Sequence, residues 1–156
     1  MNNWLQPHLN AAIMYFFLND LKNAWHHADE AKSYGKDIGA AWISGAFLKL
    51  YEENYDAAIA EYQEALKRKI DQRLLVDVTW FISHYFDANP TRIQFQFAIG
   101  LLTHYSGNAA VSRAEFERFV AASQVKTEYD RLRDEAAKFL GGNPWPVPFA
   151  ISKVEA

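Results

Sequence analysis

Cysteine is missing altogether from the 156 residues. That excludes a disulfide framework, a zinc–thiolate site and a thiol nucleophile. It leaves the compartment open, because a chain without thiols suits cytosol and periplasm alike. An excess of positive charge is lacking too: 16 Lys and Arg stand against 19 Asp and Glu, a net charge of −3. A mildly acidic surface offers no electrostatic footprint for nucleic acid. Long apolar runs are absent as well. The longest near the start, AAIMYFFL at Ala11–Leu18, falls short of the roughly 20 residues a membrane-spanning helix needs and has no basic flank before it. The chain holds no Gly-rich phosphate loop, no G-x-S-x-G and no H-E-x-x-H, so no cofactor and no catalytic constellation is implied.

What is present is enough apolar material for one domain with a substantial core: 50% of the residues are hydrophobic, including 11 Phe, 8 Tyr and 5 Trp. A soluble chain is expected, cytoplasmic in the first instance. A periplasmic location stays open, as does excision from a longer protein, because MNNWLQPH runs into a helical pattern almost at once.

The segment NYDAAIAEYQEAL, Asn54–Leu66, places Ala58, Tyr62 and Ala65 four and then three residues apart, on one helical face. Small, large, small is an unusual stripe for a core that Leu or Ile could fill. The preceding helix, GAAWISGAFLKLYEE, carries Trp42 and Ala46 four apart. Counted from Gly39 as position 1, these residues occupy positions 4, 8, 20, 24 and 27. Thirty-four residues earlier, counted from Leu5, the same positions hold His8, Ala12, Ala24, Ala28 and Ala31. A third unit counted from Ile93 places Gly100 at 8, Ser112 at 20 and Phe116 at 24, with Phe119 at 27 and Gln96 at 4 off the pattern.

Two helical hairpins and a third, looser one thus share a skeleton at a 34-residue period, and this resembles the tetratricopeptide repeat family. The resemblance covers about two-thirds of the chain. The proline customary at position 32 is replaced by Lys36, Ile70 and Gln124. It implies an all-α fold: a right-handed α-solenoid of about eight helices in a single domain over residues 1–142, with units 5–38, 39–72 and 93–126. Close helix approach is the physical reason for the pattern, with small residues at the contacts and large ones filling the gaps.

Between units two and three, Leu75, Val78, Ile82 and Phe86 follow helical spacing and predict an extra helix over 71–87. Asn89 is expected to cap the next helix, with Pro90 at its first position. IQFQF alternates as a strand would, but it runs into AIGLL, and a helix is expected there. The stretch KTEYDRLRDEAAKFLGG predicts a capping helix over 126–140 ended by Gly141 and Gly142. Pro144, Pro146 and Pro148 make 143–156 an extended tail.

In the family that this chain resembles, the first helix of each unit lines a concave face. The matching positions are Gln6, Leu9, Ile13, Phe16 and Phe17, then Ala40, Ile43, Phe47, Leu50 and Tyr51, then Gln94, Phe97, Leu101, His104 and Tyr105. The resemblance implies a groove for a peptide or helix of a protein partner, with Leu9, Ile13, Phe16, Phe17, Ile43, Phe47, Tyr51, Phe97, Leu101, His104 and Tyr105 as its contacts. The alternative is a groove filled by the chain's own helix or tail, in a structural or self-assembling component of a larger complex, a membrane-associated or secretion assembly among them. Trp145 and Phe149 on the extended tail are the kind of side chain such a groove takes. Homo-oligomer formation stays open, whereas direct membrane insertion and nucleic acid are not expected. The apolar Leu9, Ile13 and Ile43 do not suit the carboxylate clamp of chaperone-tail binders in the family.

Two lesser candidates have ordinary readings. His26 and His27 stand near Glu30 at helical spacing, but two ligands without a third make a poor metal site, and a solvated helix face is expected. The basic cluster Lys67, Arg68, Lys69 and Arg73 follows an acidic helix start, an arrangement that complements the helix dipole without any acidic partner.

Overall fold

The structure, a computed structural model, describes residues 5–148 and 151; of Leu5 and Gln6 it describes the helical backbone alone. The described residues form eight α-helices and one short 3-10 turn: α1 (Leu5–Phe17), α2 (Leu21–Gly35), α3 (Ala40–Tyr51), α4 (Tyr55–Leu66), α5 (Gln72–Ala88), α6 (Gln94–Tyr105), α7 (Ala109–Ser123), the turn Thr127–Tyr129 and α8 (Asp130–Leu140). The chain is all-α, as its periodicity predicts. By its contacts it divides into two compact units, the first reaching Ile70 and the second running from Asp71 to Pro146.

The same turn closes three hairpins. After α1, α3 and α6 the chain makes one residue of positive φ: Asn19 at 59°, Glu53 at 65° and Gly107 at 91°. The residue after it begins the next helix: Asp20, Asn54 and Asn108 each accept a hydrogen bond from the backbone N–H three positions on. Each turn also bonds back to the finished helix. Asn19 N–H donates to Phe16 O and Asp20 N–H to Tyr15 O; Glu53 donates to Leu50 and Asn54 to Lys49; Gly107 donates to His104 and Asn108 to Thr103. A left-handed C-cap and an Asx N-cap are thereby fused into three residues. The left-handed residues are 34 apart in the first pair, and 54 apart in the second, which is 34 plus the 20 residues 73–92. The sequence period is therefore also a period of backbone geometry.

In the first unit α3 is the central helix, packed on α1, α2 and α4, and nine of its residues are buried. Its neighbours present small residues to the interior: Ala24, Ala28 and Ala31 on α2, Ala58 and Ala65 on α4, all with no exposed surface. Tyr62 fills the remaining space and is wholly buried. Gly39 marks the tightest approach. A Cβ there would lie 2.4 Å from Ala65 O, and the Gly39 N–H donates to Lys69 O beside an isolated parallel bridge between Ile38 and Lys69.

In the second unit α6 is central, packed on α5, α7 and α8. Gln94, Phe95, Gln96 and Phe97 are all buried, so the strand-like alternation of that segment has no counterpart in exposure. A helix covered on every side has no face on which polarity needs to be displayed. Gly100 lets α7 close in: a Cβ there would meet the Phe116 ring at 2.8 Å, and the Ser112 hydroxyl donates to Gly100 O at 2.7 Å. The extra helix forms as α5, with Asp71 as its N-cap. Asn89 does not cap α6. It closes α5, its side-chain amide donating to Tyr85 O and its backbone N–H to Phe86 O, and α6 starts only at Gln94. A C-terminal residue that can return a hydrogen bond to its own helix competes with the capping role that Asn-Pro suggests. α8 buries Leu132, Glu135, Ala136 and Phe139, a single stripe, and ends at Gly141 and Gly142 with the same backward bonds and a φ of 82° at Gly142. Residues 143–148 contain no helix, as the prolines predict; the rest of the tail, including Phe149, lies outside the described residues save Ile151.

Candidate functional site

The residues that the repeat pattern assigns to a groove are placed as follows. In the first unit Leu9, Phe16, Ile43 and Phe47 are buried, Ile13 and Tyr51 are half-buried, and Phe17 is exposed. Phe16 stands edge-on to Phe47 and to Tyr51, with ring centroids 4.7 and 4.9 Å away, so these side chains join α1 to α3. In the second unit Phe97 and Leu101 have no exposed surface, and Phe97 stands edge-on to Phe116 and Phe119 on α7. His104 and Tyr105, half-buried at the end of α6, both stand edge-on to Phe139 of α8.

That corner of the second unit is where the tail docks. Trp145 is buried against Phe139, ring centroids 5.4 Å apart. Its indole N–H donates to Glu135 Oε2 at 2.8 Å, and its carbonyl accepts from the Tyr105 hydroxyl at 2.7 Å. Both polar ends of one tail residue are thus met, one by a side chain of α8 and the other by a side chain of α6. Glu135 is itself buried and also pairs with Arg131 and with Lys138 Nζ, the latter at 3.0 Å. Burial opposes its ionisation, but Arg131, the Trp145 indole and Lys138 outweigh that and hold its carboxyl below the ordinary range. Burial pushes the Tyr105 phenol up and lowers the proton affinity of His104. The sequence pattern marks Trp145, His104 and Tyr105. It does not mark Glu135, which looks like one more charge on a polar helix; its place in the stripe Leu132, Glu135, Ala136, Phe139 is the available signal.

The first unit has a buried carboxylate of its own. Glu61 Oε1 accepts from Lys32 at 2.6 Å and from Lys49 at 2.8 Å, while Oε2 is buried without a partner. Gly45 makes room for it: a Cβ there would lie 2.8 Å from Glu61 Oε2 and 3.1 Å from Lys32 Nζ. Lys32 also lies over the Trp42 ring at 5.1 Å, and Arg68 lies over it at 4.1 Å. The basic cluster at the end of α4 is engaged from within. Lys67 and Arg68 pair with Glu64, and Arg68 donates to Lys36 O; with Asp37 and Lys69 they line a shallow open depression. Arg73 is exposed, and its backbone N–H donates to the Asp71 N-cap of α5.

His27 does not turn to Glu30. Its Nδ1 lies 2.8 Å from His8 Nδ1, across the α1–α2 hairpin. Exposed apolar side chains outside the repeat pattern include Met14 and Leu18 at the end of α1 and Val76 and Trp80 on α5, where His84 lies against the Trp80 ring. No helix among the described residues is long and apolar enough to cross a membrane. No protein-family model, curated protein or solved structure matches the chain.

Proposed function

We propose that this chain is a protein-interaction scaffold built from hairpins of the tetratricopeptide kind, and that its second unit takes an extended tryptophan–proline segment on α6 and α8. The observation that carries this reading is the seat of Trp145. An aromatic ring packed on Phe139, an indole N–H on Glu135 and a backbone carbonyl on Tyr105 are the elements of extended-peptide recognition: an anchor side chain in a pocket and main-chain hydrogen bonding along the strand. In the isolated chain the tail fills this seat, and a partner carrying a similar segment competes for it. The scaffold role draws further support from the small residues at the repeat contacts, which let the helices of a hairpin approach closely, and from the repeated turn. No catalytic role is part of the proposal.

The test uses the full chain with Trp145→Ala, which empties the seat, and a labelled peptide NPWPVP supplied in trans. Saturable binding to the variant, weaker binding to wild type and none of a peptide with Ala for Trp support the reading. A variant that stays folded yet ignores the peptide removes it.

Self-assembly is the second reading, favoured by the position of Gly142. This residue has a φ of 82°, and a Cβ on it would meet nothing within 4 Å. It lies at the root of the docked tail, where a change of path would carry Trp145 to a second copy. Light scattering over a concentration series decides between the readings: a dimer lost on truncation after Gly142 means exchange of tails, and a monomer throughout means docking within one chain.

A further inference from the structure

In the first unit, His8 of α1 and His27 of α2 meet through their Nδ1 atoms at 2.8 Å. Tyr34 stacks on His8 with centroids 5.3 Å apart and planes 9° apart, and Tyr15 stacks on His27 at 5.3 Å and 6°. The result is a chain of four rings, Tyr34–His8–His27–Tyr15, stacked at its two ends and joined in the middle by the tilted histidine pair. Two nitrogens bound to one tetrahedral metal ion at ordinary metal–nitrogen lengths stand about 3.3 Å apart. The observed separation is instead that of a hydrogen bond.

A hydrogen bond between two Nδ1 atoms needs one proton, and only one. With both rings neutral, one Nδ1–H donates to the lone pair of the other. A first added proton goes to the far nitrogen of the donor ring, and the bond persists with a charged donor. A second added proton has to occupy the accepting Nδ1. The acceptor is then gone, and two imidazolium rings face each other with centroids 5.1 Å apart. We propose that the His8–His27 pair is a pH-sensitive latch between α1 and α2, closed while a single proton lies between the two Nδ1 atoms and opened when acid protonates both.

The surroundings favour this behaviour. On α2, His26 stands edge-on to His27 at 5.2 Å and adds a third imidazole, while Glu30 opposes it as an anion one turn on. Burial first, then His8 and His26, lower the proton affinity of His27 against Glu30. The other charges nearby are engaged or exposed: Asp20 binds Asn23, Glu52 accepts from the Trp25 indole, Lys32 binds Glu61, and Lys22 and Asp29 are exposed to solvent. α3, the remaining helix packed on α1 and α2, offers Lys49 and Tyr51, which are taken by Glu61 and Phe16. A histidine whose proton affinity is lower folded than unfolded gives stability that is complete above its ordinary value of 6.5 and is lost as the pH falls below it.

The test measures the full chain. Long-range nitrogen–proton NMR on the histidine rings reads which nitrogens carry protons, and thermal melts follow stability from about pH 8 to about pH 4.5. Near neutral pH one of the two Nδ1 atoms should be protonated and the other not. The melting temperature of wild type should fall by about 3–6 °C more between pH 7 and pH 5 than that of His8→Phe, which keeps the stack on Tyr34 but has no proton to share. His104, in the other unit, is also lowered by burial and adds a separate fall of its own, so the difference between wild type and His8→Phe should persist unchanged when both carry His104→Phe. Two rings both protonated on Nε2 alone near neutral pH overturn the latch, and so does an equal fall in wild type and His8→Phe. Should His8→Phe not fold, His8→Gln replaces it in the melts and the ring NMR of wild type still decides.

Discussion

In the first unit the second helix of a hairpin meets the first through alanines, with Tyr62 as the largest filler on α4; in the second unit α7 brings Phe116 and Phe119 against α6, and glycine at Gly100 supplies the room. Each unit also buries one glutamate with two cations. In the first, Glu61 joins Lys32 and Lys49 and keeps an unpartnered oxygen; in the second, Glu135 joins Arg131 and Lys138 and spends its other oxygen on the tail. The contrast teaches that one spacing of small and large positions accommodates two distributions of volume. What the spacing conserves is the sum across the contact, not the size at a given position. It also shows that a buried carboxylate with a spare acceptor takes a donor that reaches it, as Glu135 takes the Trp145 indole.

The sharpest break of this comparison is removal of the two fillers. Tyr62→Ala and Phe116→Ala should each cost about 3–5 kcal/mol in urea unfolding, and a loss below about 1 kcal/mol for either would mean that its hairpin does not depend on the plug. Next comes Glu135→Gln, expected to cost about 2–3 kcal/mol through the loss of charge from a buried, hydrogen-bonded site. Because its carboxyl is held below the ordinary 4.5, the stability it provides is present above that pH and is lost as the pH falls through the lowered value. Urea midpoints from about pH 6 to about pH 3 should therefore decline less steeply in Glu135→Gln than in wild type, and parallel declines would remove Glu135 from the account.

The turns allow a finer comparison. Glu53 occupies the left-handed conformation that Gly107 occupies in the second unit. Glu53→Gly should stabilise by about 0.5–1 kcal/mol and Gly107→Ala should destabilise by about 1 kcal/mol, both read from melting curves. Equal signs would mean that the two turns are not equivalent. The smallest effect concerns polar atoms buried without partners, the Tyr62 hydroxyl in one unit and the Gln94 amide in the other. Tyr62→Phe and Gln94→Met should each be neutral or stabilising by up to about 1 kcal/mol; a clear loss of stability in either would reveal a hydrogen bond to that group.

The helices themselves are legible in the chain. Periodicity places α5 within a residue of its observed ends, the glycine pair places the end of α8, and three prolines keep the tail extended. Asn89 is misleading because Asn-Pro suits the start of a helix and an amide suits the end of one equally well, and only the carbonyls within reach decide. The seat of Trp145 is half legible. An aromatic on a proline-rich segment announces itself, and Tyr105 falls at a repeat position, but the one local mark on Glu135 is its place in the apolar stripe of Leu132, Ala136 and Phe139.

By itself the sequence determined the all-helical class, the 34-residue period and the glycine pair that ends α8, because these rest on interactions within a few residues of one another. Tertiary structure decided what the aromatics and charges are for. Phe47 and Phe97 became interior, His8 found His27, and Glu135 found Trp145, because each outcome depends on which side chain another helix brings within hydrogen-bonding or van der Waals distance.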